Sequence, residues 1–154
     1  MIVIDTNTLD TLTSQASASP RKRQGRNYHN VLSDPIQRML NAFEPGTYVR
    51  PHRHINPDKR EVFIILKGRL LVIFFDNEGN ITRQIKLDQT NGIFAVEIEV
   101  GEWHMAIGLD HGTVVYEIKD GPYDPDTDKE FASWAPAEND PLADQYLQGL
   151  LKSK

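Results

Sequence analysis

The chain has 154 residues, of which 39% are hydrophobic and 25% charged, a size and balance suited to one globular domain with a substantial core. Its net charge of −5 argues against a general nucleic-acid or anionic-membrane binder, because both depend on a positive surface field. There is no cysteine, so no disulfide framework can form, and histidine and carboxylate must do any metal ligation.

The opening MIVIDTNTLDTL has neither the basic start nor the long apolar core of a signal peptide, and no apolar run approaches bilayer-spanning length. A cytoplasmic protein is expected. Ile2 to Ile4 reads as a short strand, and Thr8 to Ala18 as a helix with Leu9, Leu12 and Ala16 at helical spacing behind a cap at Asn7 or Thr8. Ser19-Pro20 stops that helix. The basic stretch from Arg21 to Tyr28 follows as an extended arm. At Ser33-Asp34-Pro35, propensity alone favours a helix from Ile36 through Ala42.

From Tyr48 to Tyr116 strand-like segments are broken at Lys67-Gly68, Asn77-Glu78-Gly79, Asn91-Gly92 and His111-Gly112, a rhythm that suits a jelly-roll barrel. After the turn-rich Gly121-Pro122-Tyr123-Asp124-Pro125, the segment from Pro141 to Leu151 carries Leu142, Tyr146, Leu147, Leu150 and Leu151 on one helical stripe. The expected architecture is mainly β, a jelly-roll β-barrel or sandwich with a short N-terminal helix and a C-terminal helix. A single domain over residues 1–154 divides into an N-terminal strand, helix and basic arm (1–34), a barrel (35–120) and a C-terminal loop and helix (121–154).

The chemistry concentrates in PHRH, Pro51 to His54. On an extended strand His52 and His54 project from one face and Arg53 from the other. Glu61 opens EVFIIL, the β-branched and aromatic run that reads as the next strand, placing a carboxylate across from the two imidazoles. His104, after the strand-like Phe94 to Val100, supplies a third nitrogen. Three neutral imidazoles and one carboxylate leave a divalent ion with net positive charge and with open positions for an oxygen-rich or anionic ligand.

The spacing Gly46-x5-His52-x-His54-x6-Glu61-x6-Gly68 resembles the first cupin motif, and EVGEWH at Glu99 to His104 resembles the second. Six residues separate His54 from Glu61 where three or four are usual, Glu99 stands where the second motif has proline, and Gly108 where it often has asparagine. The stretches RKRQGRNYH, EPGTYVRPHRH, GEWH, YEIKDGPYDP and DKEFASWAP further resemble the WbuC-type cupin-fold metalloproteins found among bacterial surface-polysaccharide genes, over roughly residues 20 to 137. The resemblance implies a cupin fold, with a strand rather than a helix leading from Pro35 into Gly46. It also implies a metal site at His52, His54, Glu61 and His104 holding one divalent ion: Zn, Fe, Mn, Ni or Co.

Around that site, Tyr48 and Arg50 share strand parity with the histidines and face the cavity if the strand is regular; if Pro51 or a bulge breaks it, Arg50 turns outward. Arg26 and His29 lie on an arm that could close the barrel mouth or be solvated. Glu117 and Lys119 share parity at a strand end and either line the cavity or form a surface pair. Trp103 is expected to pack over the metal, and Phe131 and Trp134 to anchor the C-terminal loop.

The leading expectation is a metal-binding cupin acting on a small oxygenated ligand, anionic or sugar-like, with the metal as Lewis acid in isomerase- or lyase-like chemistry. Tyr48 or His29 would move the proton, and Arg50, Arg26, Glu117 and Lys119 would contact substrate. Whether the protein is an enzyme at all stays open. The alternatives are a non-catalytic binding or sensor module and an Fe(II)-dependent dioxygenase. A homodimer is expected; nucleic acid and membrane are not.

Overall fold

The computed structural model describes residues 1–153. Among them are two α-helices, α1 (Thr6–Ala18) and α2 (Ala143–Lys152), one short 3-10 turn (Gln89–Asn91) and ten strands. The strands are β1 (Arg23–Asn27), β2 (Ile36–Phe43), β3 (His52–Arg53), β4 (Glu61–Lys67), β5 (Arg69–Phe75), β6 (Ile81–Asp88), β7 (Ala95–Ile98), β8 (Trp103–Gly108), β9 (Thr113–Asp120) and β10 (Glu130–Phe131). They form two five-stranded antiparallel sheets, ordered β1-β2-β9-β4-β7 and β10-β3-β8-β5-β6, the jelly-roll sandwich expected. No described helix is long and apolar enough to cross a membrane.

Strand parity sorts the side chains into layers. Alternate residues of a strand face opposite sides, and in β5 Leu70, Val72 and Phe74 point between the sheets, where they pack with Phe43, Phe63, Ile65, Ala106 and Val115. Their neighbours Leu71, Ile73 and Phe75 point the other way, onto Ala143, Leu147 and Leu150 of α2. The outer face of the first sheet is covered in the same manner, with Leu12 and Ala16 of α1 seated on Leu40, Ala42 and Val114. Both helices are therefore held by tertiary burial rather than by propensity.

The punctuating glycines do what was expected: Gly68, Gly79, Gly92 and Gly112 all have positive φ, a conformation that costs glycine little. Several local expectations need correction. Residues 2–4 form no strand; Ile2 and Val3 are exposed. The first helix begins at Thr6, and its cap is Asp5, which accepts from the Thr8 backbone N–H at 2.9 Å. The basic arm is the edge strand β1, paired with β2 from Arg23↔Phe43 to Asn27↔Met39. On α2, Leu147 and Leu150 are buried while Leu142 and Leu151 stay exposed, so the helix covers the sandwich with a narrower stripe than its leucines suggested.

Candidate metal centre

Three strands converge at one end of the sandwich. His52 on β3 lies directly opposite His104 on β8, and Glu61 opens β4 in the facing sheet. His54, just past β3, completes a fully buried group whose four potential ligand atoms all lie within 4.8 Å of one another and could hold a metal ion. Arg53 projects the opposite way, as alternation requires, stacking 4.3 Å from the Trp103 ring and pairing with Glu130.

The hydrogen bonds decide which imidazole nitrogen faces inward. His52 Nδ1 is bonded to the Arg50 carbonyl at 3.0 Å, His104 Nδ1 to the Glu102 carbonyl at 2.9 Å and His54 Nδ1 to the Asp128 carbonyl. A carbonyl oxygen can only accept, so each Nδ1 carries the proton and each neutral ring turns its Nε2 lone pair toward the common centre. Outer-shell bonds of this kind orient histidines that ligate metals.

The same arrangement tests whether an ion fits. His104 Nε2 stands 3.1 Å and His54 Nε2 3.3 Å from Glu61 Oε2, so lone pairs confront a carboxylate, and the buried His54 Nε2 has no hydrogen-bond partner. A cation among these atoms satisfies all of them, whereas an empty buried group of this composition would be costly. Burial, with the nearby charge of Lys129, holds His52 well below the ordinary imidazole pKa, hence neutral. Burial pushes the Glu61 carboxyl upward, but its close contacts with the His104 and His54 imidazoles more than offset this and hold it well below the ordinary carboxylate range.

Beside this group lies a cavity of about 300 Å³, walled by Asn41, Phe63, Glu117, Tyr123, Lys129 and Phe131, at the small end of the range for small-molecule sites. It abuts a second hollow of about 290 Å³ that shares Asn41, Glu117, Tyr123 and Lys129 and reaches His29. Glu117 is buried, bonded to Asn41 Nδ2 at 2.5 Å. Burial, and then the charge of Glu61, push its carboxyl well above the usual range.

Not all the expected residues gather here. Glu117 and Lys119 are buried on the inward parity of β9 and line the hollows. His29 sits at the outer end, its Nδ1 beside the Arg38 backbone. Arg26 turns out over the Tyr28 ring; Arg23 reaches the cavity in its place, donating to the Tyr48 carbonyl and to Glu138. Tyr48 is a correction, and Arg50 takes the second of its two readings, turned away from the cavity. Residues 47–51 are not strand, because Pro51 breaks the run, and parity with His52 is lost. Tyr48 packs against Tyr146 and donates to the Pro136 carbonyl. Arg50 donates to the Ala132 carbonyl and lines a groove of about 830 Å³ against α2, walled by Trp134, Tyr146 and Leu150. That groove is larger than the histidine cavity but lies on the other face of the sheet, away from the titratable cluster.

Trp103 is also corrected. It neighbours His104 on β8 and so points to the opposite face, where it packs with Trp134 and donates to Asn77. Trp134 anchors the C-terminal loop, as expected, while Phe131 stands at the cavity with its ring 6.1 Å from that of His52. Asn41, Lys129 and Asp128 escaped the sequence reading. For Asn41 the available signal was its parity with Phe43 on β2.

The sandwich and its converging histidines define a cupin-fold protein. The chain belongs to the family described as a domain of unknown function, DUF6016, which matches residues 4–87. No protein with a curated description matches it in sequence. Among solved structures it is similar to the capsular polysaccharide assembling protein CapF from Staphylococcus aureus, with 23% identity and a TM-score of 0.56 over 70% of this chain and 28% of CapF. It is also similar to a cupin superfamily protein from Desulfitobacterium hafniense, with 18% identity and a TM-score of 0.52 over 71% of this chain and 86% of that one. A third is the oxalate decarboxylase of Lactobacillus farciminis, solved as a formate complex, with 17% identity and a TM-score of 0.52 over 71% and 30%. The chain thus spans under a third of CapF and of the decarboxylase.

Proposed function

We propose that this chain is a single-domain, WbuC-type metal-binding cupin that takes a small oxygenated ligand, anionic or sugar-like, in the cavity beside His52, His54, Glu61 and His104. The observation that carries the reading is the set of three Nδ1–H groups tied to carbonyls, which aims three Nε2 lone pairs and one carboxylate at a single point. A divalent ion there would supply Lewis acidity, polarising a carbonyl or hydroxyl oxygen of the ligand.

The chain's own residues set what else can occur. Lys129 lines the cavity and its charge acts on His52 and Glu117, so it favours a carboxylate-bearing ligand. Tyr123 and Phe131 offer flat apolar walls to a ring. Glu117, whose carboxyl is pushed well above the usual range by burial and then by the charge of Glu61, takes over the proton-carrying role first given to Tyr48 and His29, as expected in isomerase- or lyase-like chemistry. The likeness to a capsular polysaccharide assembling protein and to an oxalate decarboxylase agrees with polysaccharide- or carboxylate-related ligands. A cytoplasmic homodimer completes the proposal.

Elemental analysis of protein purified without chelator, beside a His52→Ala, His54→Ala variant, tests the reading. Near-stoichiometric metal in the first and none in the second is the expected result. Failure of the parent protein to retain Zn, Fe, Mn, Ni or Co overturns it. Incubating the loaded protein with sugar acids and hydroxy acids then separates turnover from binding alone.

A further inference from the structure

Two lysines and one aspartate are buried together outside the histidine group. Lys59, on the approach to β4, is 1% exposed, and its Nζ lies 2.7 Å from Asp128 Oδ1. Lys119 of β9 is 4% exposed, with its Nζ 2.6 Å from Asp128 Oδ2. Asp128 itself is 3% exposed. Taking three charged groups out of water is expensive, and breaking such a set by removing one member leaves uncompensated charge. A buried cluster of this cost calls for a role.

That role is visible in the backbone of the same residue. The Asp128 carbonyl is the acceptor for His54 Nδ1–H, and its neighbours Lys129 and Phe131 wall the cavity together with Tyr123 and Pro125. Both carboxylate oxygens of Asp128 are held, one from each side, by residues of β9 and of the β4 approach. The carbonyl cannot shift without stretching two buried ion pairs. We infer that Asp128, clamped by Lys59 and Lys119, is a positioning residue that locks the 121–131 segment over the site and sets the orientation and tautomer of His54. Its carboxylate Oδ2 lies 4.0 Å from His54 Nδ1, beyond hydrogen-bond reach, and the direct bond to that imidazole is made by its backbone carbonyl. The inference rests on the metal-binding reading above.

The test compares cobalt(II) binding to the parent protein and to Asp128→Asn, by titration against a competing chelator and by visible absorption of the cobalt complex. Asp128→Asn is expected to bind cobalt roughly ten- to a hundredfold more weakly, the range seen when outer-shell partners of metal ligands are lost, with a changed absorption envelope and faster proteolytic cleavage between residues 121 and 131. Leu147→Ala, buried under α2 on the opposite face, serves as the control: it lowers the melting temperature and leaves cobalt affinity and spectrum unchanged. Should Asp128→Asn fail to fold, Lys59→Met, which keeps the Lys119 pair, is expected to show a smaller loss in the same direction. Cobalt affinity within about threefold of the parent, with an unaltered spectrum, in whichever of these variants folds overturns the inference while leaving the metal site standing. Absence of cobalt binding by the parent overturns both.

Discussion

His52 and His104 are direct partners across the β3–β8 pair, with ring centroids 4.5 Å apart. Two of the four prospective ligands are thus spaced by a strand register rather than by a loop. Since a one-residue slip would send either ring to the other face, the fold and the site are specified together. Replacing either histidine by alanine should leave the sandwich intact and reduce bound metal to under about a tenth of stoichiometric, because a site reduced to three ligands loses most of its affinity. Elemental analysis together with circular dichroism reads both halves of this prediction.

Gly108 occupies the place where the resembled motif often carries asparagine, and the structure supplies the reason. A Cβ there would lie 2.8 Å from the Phe43 Cβ and 3.0 Å from the Phe43 carbonyl oxygen, so the backbone of β2 closes over it. Gly108→Asn should therefore cost about 1–3 kcal/mol through overpacking. A denaturation midpoint equal to that of the parent would contradict the placement of these two strands.

Leu147 is buried among Leu71, Ile73, Met105 and Ile107 on the α2 side of the second sheet. Leu147→Ala should destabilise by about 2–5 kcal/mol. Urea unfolding of the apo and metal-loaded forms should show the same increment in each, since the histidine cluster lies on the sheet's other face.

Burial pushes the Tyr146 hydroxyl up to about 12. For a phenol whose folded pKa is raised, the neutral form is favoured by folding, so the contribution is fully present below the unfolded value of about 10. It is lost as pH climbs toward about 12. Alkaline destabilisation should accordingly begin near pH 10, and Tyr146→Phe should reduce it. Melting temperatures between pH 8 and 11.5 decide the matter; an identical slope in the variant would count against the packing of α2 described here.

Lys129→Ala should weaken binding of carboxylate ligands by roughly threefold to thirtyfold while leaving metal content unchanged, and the difference should shrink with salt, as for a screened charge at a site mouth. Calorimetry at two ionic strengths checks both the magnitude and the trend.

Much of this was legible in the residues. Four glycines marked the turns because positive φ is cheap only for glycine, and His-x-His on an extended segment could only converge on one side. The exposed Ile2 and Val3 misled because three apolar residues suggest a strand without naming a partner for it to pair with. Tyr48 misled because parity arguments assume a continuous strand, which Pro51 interrupts, the alternative already open for Arg50. Trp103 was the avoidable error: one step from His104 on a strand is the opposite face. Asp128, Lys129 and Phe131 lay beyond reach for a different reason. They sit in a turn-rich stretch, where no periodicity predicts direction, and only the folded contacts bring Asp128 to a histidine 74 residues away and Lys129 and Phe131 to the cavity.

The salt bridge between Arg23 and Glu138 joins positions 115 residues apart at the rim of the cavity. The last of the four prospective ligands, His104, precedes Glu138 by 34 residues, so at ~5–20 residues per second it is made only a few seconds earlier. A nascent chain that has already made His52, His54, Glu61 and His104 thus still lacks the residue that fastens β1 across the rim.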